Sequence, residues 1–345
     1  MRSTAKVLFM ALLLLISASY LHAQAPFYKG KTIRIVVCCT PGGLYDRWAR
    51  LLSRYLPKYI PGNPEVIVQN MPGASGIIAA NYVYNVAKPD GLTIVMPLGQ
   101  TYLAQVAGHK EIRFDIRKFN WIGTQEKSTE MLYTRADTPY KTIEDIVKGK
   151  ESARCGSSGP GSSGHIVPQI LDLITGAKFK IVSGYPGGSE IDLAVTRGEL
   201  DCRGMTIPPH FAREPFLTWH KEGFDRHIAQ TGTKRDPRMP DVSTIYEVME
   251  KYRTPEKKRR IATVIASGGE FGRPFAVAPG VPADRVKILR EAYMKALNDP
   301  ALRAEAERAR LDIDPTPGEE LQALAQRVFD HPPEVIEEVG KLLGK

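Results

Sequence analysis

A chain of 345 residues, of which 43% are hydrophobic, is long enough for two ordinary domains. The formal net charge is +9, but acidic and basic residues are interspersed, and no basic block with interleaved aromatic residues suggests a nucleic-acid-binding protein. Four cysteines in such a length are too few for a disulfide scaffold. Composition therefore favours a globular protein that does not bind nucleic acid.

The first residues have the pattern of a secretory signal. Arg2 and Lys6 precede the apolar run Val7–Ile16, which is too short to span a bilayer comfortably. Small residues near the end of this region suit cleavage after Ala23. We therefore expect a signal peptide over residues 1–23, a mature chain of net charge +7 and a soluble, exported product; an uncleaved anchor is the less favoured alternative.

The rest of the chain alternates strand-like and helix-like stretches. The β-branched run Ile33–Val37 leads into Pro41–Gly43, and apolar residues at helical spacing follow from Leu44 to Leu56. A buried strand thus delivers a glycine turn to a helix N-terminus, whose first amides can meet an anion. Because the alternation continues almost throughout, the residues predict an α/β fold with mostly parallel sheets.

Three later loops repeat this arrangement after predicted strands. They are Asn70–Gly76, the glycine-rich stretch Arg154–His165 and Gly184–Gly188. In an open α/β sheet, ligands bind at the carboxyl ends of the strands, where such loops lie. The four loops together predict a pocket lined by main-chain amides and hydroxyl groups that receives a small anion.

An enzyme is the main alternative from the residues alone. Ser162 or Ser163 beside His165 could be the nucleophile and base of a secreted serine hydrolase, although the strict G-x-S-x-G motif is absent. The G-x-G-x-x-G spacing that begins at Gly159 lacks the acidic residue of a dinucleotide site. We therefore favour a binding protein with no catalytic residues and no cofactor. Loss of turnover in a Ser→Ala variant would support the hydrolase.

Histidine and cysteine spacings give no metal-binding motif. His210, His220 and His227 share a segment but lack ligand spacing, so we expect surface or capping positions for them and no metal site. Cys155 and Cys202 could form a disulfide if their strands are adjacent, although free buried thiols are slightly favoured.

Beyond these patterns, the chain carries a series of short motifs in a fixed order. The matching segments are Pro41-Gly42-Gly43-x-x-Asp46 with Ala49-Arg50, Asn70-x-Pro72-Gly73-Ala74-x-Gly76 with Ala79-Ala80, Pro89-Asp90-Gly91, Gly156-Ser157-x-Gly159-x-Gly161-Ser162-x-x-His165, Gly184-Tyr185-x-Gly187-Gly188, Gly198-Glu199-Leu200-Asp201, and Ala278-Pro279 with Pro282. In this order the sequence resembles the periplasmic solute-binding receptors of tripartite tricarboxylate transporters, the Bug family. Leu44 and Cys38-Cys39-Thr40 depart from the family pattern, which commonly has a third glycine and Gly-aromatic-Pro there.

The resemblance implies a two-lobed periplasmic-binding-protein fold (type II, Venus flytrap), with mixed, mostly parallel sheets flanked by helices. Residues 24–129 and 271–345 would form domain 1, and residues 130–270 domain 2. Such a receptor closes on a small organic carboxylate and delivers it to the integral-membrane permease subunits of the transporter. A monomer is expected, and a ligand sensor for a signalling system is the alternative.

The resemblance also implies which residues meet the ligand. They are Thr40, Pro41, Gly42, Gly43, Pro72, Gly73, Ala74, Ser75, Ser157, Gly161, Ser162, His165, Gly187 and Gly188. The lobe 1 loops would hold a carboxylate through main-chain amides and ordered water, and lobe 2 would approach from the other side. Asp46 and Asp201 are expected to hold loops in shape rather than to touch the anion.

Overall fold

The computed structural model describes residues 26–159, 161–185 and 187–343; the expected signal peptide and its cleavage site lie outside them. In that part of the chain the strands are β1 Thr32–Val37, β2 Glu65–Asn70, β3 Thr93–Met96, β4 Asn120–Thr124, β5 Glu130–Arg135, β6 Ala153–Gly156, β7 Phe179–Val182, β8 Cys202–Thr206, β9 Asp225–Gln230, β10 Phe275–Val277 and β11 Thr316–Pro317. They form two sheets, one of six strands and one of five. We call the layers built around them the first lobe and the second lobe.

Helices occupy most of the remaining described residues. They are α1 Leu44–Tyr55, α2 Ile77–Asn85, α3 Thr101–Val106, α4 Ile143–Lys148, α5 Ser163–Thr175, α6 Gly188–Thr196, α7 Ile207–His210, α8 Phe216–Glu222, α9 Ile245–Lys251, α10 Glu256–Ala266, α11 Gly268–Phe271, α12 Ala283–Leu297, α13 Pro300–Arg308, α14 Gly318–Arg327 and α15 Pro333–Leu342, with short 3-10 turns at Leu56–Tyr59 and Ala74–Gly76. Among the residues described, no helix has the length and apolarity needed to cross a membrane.

The six-stranded sheet of the first lobe has the order β11-β4-β10-β3-β1-β2. β1 pairs in parallel with β2 and β3, while β10 runs antiparallel to β3 and β4. β1 is buried from Ile35 to Val37 because it is flanked by strands and covered by helices, as a run of β-branched residues predicts. The loops after β1, β2 and β3 therefore leave the sheet at one edge.

The five-stranded sheet of the second lobe has the order β7-β6-β8-β5-β9. β6 is parallel to β7 and β8, whereas β5 is antiparallel to β8 and β9, so both sheets are mixed. The chain enters this sheet after β4 and returns to the first sheet at β10. The two mixed sheets with flanking helices confirm the expected two-lobed α/β fold.

One disulfide crosslinks the second sheet. Cys155 on β6 lies directly opposite Cys202 on the parallel strand β8, with their Cα atoms 4.6 Å apart, and the two are bonded. The expectation that these thiols are free is therefore wrong, because β6 and β8, which carry the two cysteines, are neighbours in the sheet. Cys38 and Cys39 carry free thiols.

Candidate functional site

A cavity of about 290 Å³ lies between the two lobes. The first lobe contributes Tyr45, Leu98, Gln100 and Arg273 to its wall. The remaining lining residues are Ser128, Ser158, Gly161, Ser162, Ser163, Gly164, Gly188, Ile191, Arg203, Gly204, Met205, Thr206, Pro209 and Arg213. We call this space the interlobe cavity. Its position at the carboxyl ends of β3, β6 and β8 is the usual place for a ligand in an open α/β sheet.

Three helices begin at the interlobe cavity. Their N-cap residues are Gly43 for α1, Ser162 for α5 and Gly187 for α6, and none of the three caps its helix through a side chain. Each helix places a residue of its first turn in the cavity wall, namely Tyr45, Gly164 and Gly188. The first amides of a helix have no partner within it, and the helix dipole is positive at that end. This end of the cavity is therefore suited to an anion.

Two arginines give the second-lobe wall of the cavity its charge. Arg203 is buried and pairs with the buried Asp192, and its Nη1 donates to the carbonyl oxygen of Gly188 at 3.0 Å. Arg213 is exposed, with its Nη2 3.6 Å from the other oxygen of Asp192. Among the residues that the structure describes, the Nε of Arg203 has no hydrogen-bond partner. Two guanidinium groups thus share one carboxylate, which leaves this wall positively charged.

A third arginine reaches the cavity from the first lobe. Arg273 is only 3% exposed and pairs with buried Glu126, which also accepts a hydrogen bond from the Trp48 indole at 3.0 Å. The guanidinium carbon lies 5.3 Å from the centre of the Tyr45 ring. Within the described part of the chain, the Nε of Arg273 also lacks a partner. The planar donors of arginine match a carboxylate better than those of lysine do.

The two glycine loops of the first lobe are joined by one carboxylate. Asp46 is 2% exposed and accepts hydrogen bonds from the amide of Gly42 at 2.8 Å and from Arg50 at 2.9 Å. Asn70, at the end of β2, donates to Asp46 at 3.0 Å and to the carbonyl oxygen of Cys39 at 2.8 Å. Burial raises the pKa of Asp46, but these hydrogen bonds outweigh it and the net pKa lies below its ordinary value. Asp46 therefore holds the two loops together through the amide of Gly42 and the side chain of Asn70.

Asp201 lies away from the interlobe cavity, just before β8. Its carboxylate accepts hydrogen bonds from the amide and the guanidinium group of Arg154, at 2.7 to 3.0 Å. Its carbonyl oxygen accepts from the amide of Arg135 at 2.9 Å. These bonds connect β5, β6 and β8 at the end of the sheet opposite to the cavity residues Met205 and Thr206.

The sequence-predicted ligand residues divide into three groups. Gly161, Ser162 and Gly188 line the interlobe cavity. Ala74 and Gly161 line an adjoining, mainly apolar cavity of about 400 Å³. Nine others lie in the same loops but line neither cavity: Thr40, Pro41, Gly42, Gly43, Pro72, Gly73, Ser157, His165 and Gly187. The side chain of Ser75 lies outside what the structure describes.

The serines of the glycine-rich loop hold structure instead of forming a nucleophile–base pair. Ser162 donates to the carbonyl oxygen of Gly159 at 2.8 Å, and Ser163 donates to Glu130 at 2.6 Å. In the part of the chain that is described, the Nδ1 of His165 has no hydrogen-bond partner. A nucleophilic serine needs a base within hydrogen-bond reach, and both hydroxyl groups are engaged elsewhere.

Glu130 links the lobes beside the cavity. It is buried at the start of β5, where the chain enters the second sheet, and its Oε1 accepts from Gln100 of the first lobe at 2.9 Å. Ser163 of the second lobe donates to the same oxygen. Burial raises the pKa of Glu130 to about 7, because no cation compensates for the loss of water.

The sequence did not indicate the three arginines of the cavity, Arg203, Arg213 and Arg273, or the proximity of three histidines to Asp225. Arg203 stands within a buried strand, and a charged residue there could have indicated a function. His210, His220 and His227 were expected at surface or capping positions, but the structure brings their ring nitrogens and Asp225 within 4.8 Å of one another. That expectation is wrong because β9 places Asp225 and His227 two residues apart on one strand, and therefore on one face.

Comparison with known proteins gives the family. The family model described as "Tripartite tricarboxylate transporter family receptor" matches residues 62–341. A curated relative, the UPF0065 protein in the gbd 5' region of Cupriavidus necator, is 28% identical over 300 residues, which cover 85% of this chain and 82% of the relative.

Solved structures share the fold. A TctC solute-binding protein from Polaromonas, without ligand, has a TM-score of 0.66 at 22% identity. The matched region covers 90% of this chain and 98% of the Polaromonas chain. MatC from Rhodopseudomonas palustris, with bound malate, has a TM-score of 0.62 at 21% identity. The matched region covers 91% of this chain and 99% of the MatC chain. Since the family model matches most of the sequence, this chain belongs to the tripartite tricarboxylate transporter receptor family, as the motifs indicated.

Proposed function

We propose that this protein is a periplasmic receptor that captures a small organic carboxylate and delivers it to the permease subunits of a tripartite tricarboxylate transporter. Family membership supports a receptor and argues against catalysis. The malate held by the related MatC structure supports a carboxylate ligand. Removal of residues 1–23 would release a monomer into the periplasm.

The interlobe cavity is the observation on which this proposal depends. Its wall combines three helix N-termini without side-chain caps and three guanidinium groups, while Asp192 and Glu126 supply only two compensating carboxylates. An anion would be held by amides and guanidinium groups at once. The volume of about 290 Å³ suits a small molecule.

We assign ligand contacts to both walls of the cleft. In the second lobe they are Gly161, Ser162, Gly188, Arg203 and Arg213, and in the first lobe Tyr45 and Arg273. The loops Thr40–Gly43 and Pro72–Ser75 would close on the ligand when domain 1 (residues 24–129 and 271–345) approaches domain 2 (residues 130–270). A ligand drives such closure only by binding the closed state better than the open state.

Calorimetric titration of the mature protein with malate, adipate and a neutral amide analogue tests the proposal. We expect at least one dicarboxylate to bind and the amide analogue not to bind. In Arg213→Gln the dissociation constant should rise by about 10-fold or more, since a hydrogen bond to a charged group contributes about 1.5–3 kcal/mol.

The matched control is Arg303→Gln, because Arg303 is exposed on α13 and lines no part of the cavity. Its affinity should equal that of the unaltered protein. If a wider panel of mono-, di- and tricarboxylates neither binds nor raises the melting temperature, the carboxylate proposal is wrong. Equal weakening in both variants would move the site away from this cavity.

A further inference from the structure

Four potential metal ligands converge on one point in the second lobe. The Nε2 of His210 lies 3.0 Å from the Nε2 of His227 and 2.8 Å from the Oδ2 of Asp225. The same carboxylate oxygen is 3.4 Å from the Nε2 of His227 and 3.9 Å from the Nε2 of His220. We call these four residues the histidine cluster.

Hydrogen bonding within the protein satisfies this cluster only in part, through one bond between the Nε2 atoms of His210 and His227. Asp225 is 2% exposed at its side chain, yet among the described residues its Oδ2 has no hydrogen-bond partner, although His210 is within 2.8 Å. The Nε2 of His220 is likewise buried without a partner in the described part of the chain. Nitrogen lone pairs and a carboxylate oxygen that face one another are unfavourable unless a proton or a metal ion lies between them.

The distances fit a small divalent ion. Zn²⁺ binds imidazole nitrogen and carboxylate oxygen at about 2.0–2.2 Å in a tetrahedron, which separates its ligand atoms by about 3.3 Å. The four separations given above, 2.8 to 3.9 Å, lie on both sides of that value, and all ligand atoms lie within 4.8 Å of one another. Three imidazoles and one carboxylate suit zinc and its neighbours better than Ca²⁺ or Mg²⁺, which prefer oxygen ligands. We propose that His210, His220, Asp225 and His227 bind one divalent transition-metal ion, with Zn²⁺ as the first candidate.

The ligands come from three elements, so the ion would fasten them together. His210 ends α7, His220 lies on α8, and Asp225 and His227 lie on β9. Aromatic side chains surround them: Tyr133 stacks on His210 at 5.3 Å and Phe211 on His220 at 4.8 Å between ring centres. Four protein ligands in an aromatic shell are typical of a structural site, which leaves no open position for catalysis.

The segment that the ion would fasten also forms part of the interlobe cavity. Pro209 precedes His210 and lines the cavity, and Arg213 lies in the turn between α7 and α8. Because α7 has only four residues, it has little stability of its own. The ion would therefore stabilise the wall that carries Arg213.

Metal content and Co²⁺ spectroscopy test the site on the mature protein with any affinity tag removed. We expect about one Zn²⁺ per chain by mass spectrometry of the purified protein, or saturable binding of one Zn²⁺ after treatment with a chelator. Co²⁺ should give the intense visible absorption of a tetrahedral site. Zn²⁺ should also raise the melting temperature of the stripped protein, because it binds the folded state.

The informative variant is His220→Ala, since this ring is 24% exposed at its side chain and is the least buried of the four ligands. Its Zn²⁺ affinity should fall by more than the about 10–100-fold that loss of an outer-shell partner causes. His331→Ala, outside the cluster, should bind as the unaltered protein does.

Several outcomes would overturn the site. Absence of saturable Zn²⁺ binding and of the Co²⁺ band would mean that the cluster is a His–Asp network without metal. Equal affinities of His220→Ala and the unaltered protein would place the ion elsewhere. If His220→Ala does not fold, the Co²⁺ spectrum of the unaltered protein decides alone. Failure of carboxylate binding with intact Zn²⁺ binding would refute only the proposed function.

Discussion

The two walls of the cleft are built on different principles. The first-lobe wall presents Tyr45, Leu98, Gln100 and Arg273, and the glycine loops beside it are joined through one buried carboxylate, Asp46. The second-lobe wall presents charge, with Arg203 and Arg213 sharing Asp192. The difference lies in how the charge is balanced: the first-lobe guanidinium of Arg273 is paired with Glu126, whereas two guanidinium groups of the second lobe share one carboxylate.

Some helices away from the cavity are capped by side chains. α4 and α9 begin with complete capping boxes, Thr142 with Asp145 and Thr244 with Glu247. The three helices that begin at the cavity have no side-chain cap, and neither have others such as α2, α12 and α14. The first amides of α1, α5 and α6 are therefore without a capping side chain, but this property does not set them apart from the rest of the molecule.

The largest expected effect on stability is at Arg203, in the second-lobe wall of the cavity. Arg203→Gln should destabilise the protein by about 3–5 kcal/mol, because it leaves Asp192 buried without its closest cation. Ligand binding should be lost as well. Urea unfolding measures the first effect and calorimetry the second.

The double variant Arg203→Gln, Asp192→Asn is the control for this pair. It should recover part of the stability, since an uncharged pair needs no compensation, but not the ligand affinity. A double variant no more stable than Arg203→Gln would show that the salt bridge is not what Arg203 contributes.

The next effect concerns Glu130, which joins the two walls. Its pKa of about 7 exceeds the value in an unfolded chain, so the folded state binds more protons and stability falls as pH rises from about 4.5 to 7. Glu130→Gln keeps an oxygen acceptor for Gln100 and Ser163 and removes this dependence. The variant should match the unaltered protein at pH 5 and exceed its stability by about 3 kcal/mol at pH 8.

Unfolding midpoints measured at both pH values check this prediction. Glu144→Gln is the comparison, because Glu144 is less buried and its pKa is lowered rather than raised. A gain in stability at pH 5 as large as that at pH 8 would contradict the role given to ionisation of Glu130.

A smaller effect on stability is expected in the glycine loops of the first lobe. Asp46→Asn should cost about 1.5–3 kcal/mol, because the amide group cannot accept all the hydrogen bonds from Gly42, Arg50 and Asn70. In the unaltered protein this contribution is present at neutral pH and is lost as pH falls through the lowered pKa of Asp46.

Asp145→Asn, in the capping box of α4, provides the comparison for Asp46. It should lower stability by about 1 kcal/mol without changing ligand affinity, because α4 is remote from the cavity lining. If Asp46→Asn also leaves affinity unchanged, the first-lobe loops do not contact the ligand.

The sequence predicted what depends on local pattern. Strand, glycine turn and helix follow one another along the chain, so the run before Pro41–Gly43 was readable as β1 and the residues after it as α1. The order of short motifs indicated the family and the two-lobed fold, and the family model and sheet topology confirm both.

Features that depend on strand pairing gave little local signal. Arg203 and Arg273 reach one cavity from different sheets. Cys155 and Cys202 bond because β6 and β8 are neighbours, and β9, which carries two members of the histidine cluster, was not assigned from the sequence. Spacing along the chain does not reveal ligands that three separate elements supply.

The smallest expected effect distinguishes hydroxyl contacts from backbone contacts in the glycine-rich loop. Ser162→Ala removes the hydroxyl of a residue that lines the cavity, together with its hydrogen bond to Gly159, so the dissociation constant should rise by up to about 10-fold, which corresponds to about 1 kcal/mol. Ser53→Ala, whose hydroxyl bonds the carbonyl oxygen of Arg50 near the C-terminal end of α1, should leave affinity unchanged. Titration of both variants with the same dicarboxylate makes the comparison. An unaltered affinity in Ser162→Ala would mean that this loop binds the ligand through its amides alone, and the contacts from second-lobe side chains would then depend on Arg203 and Arg213.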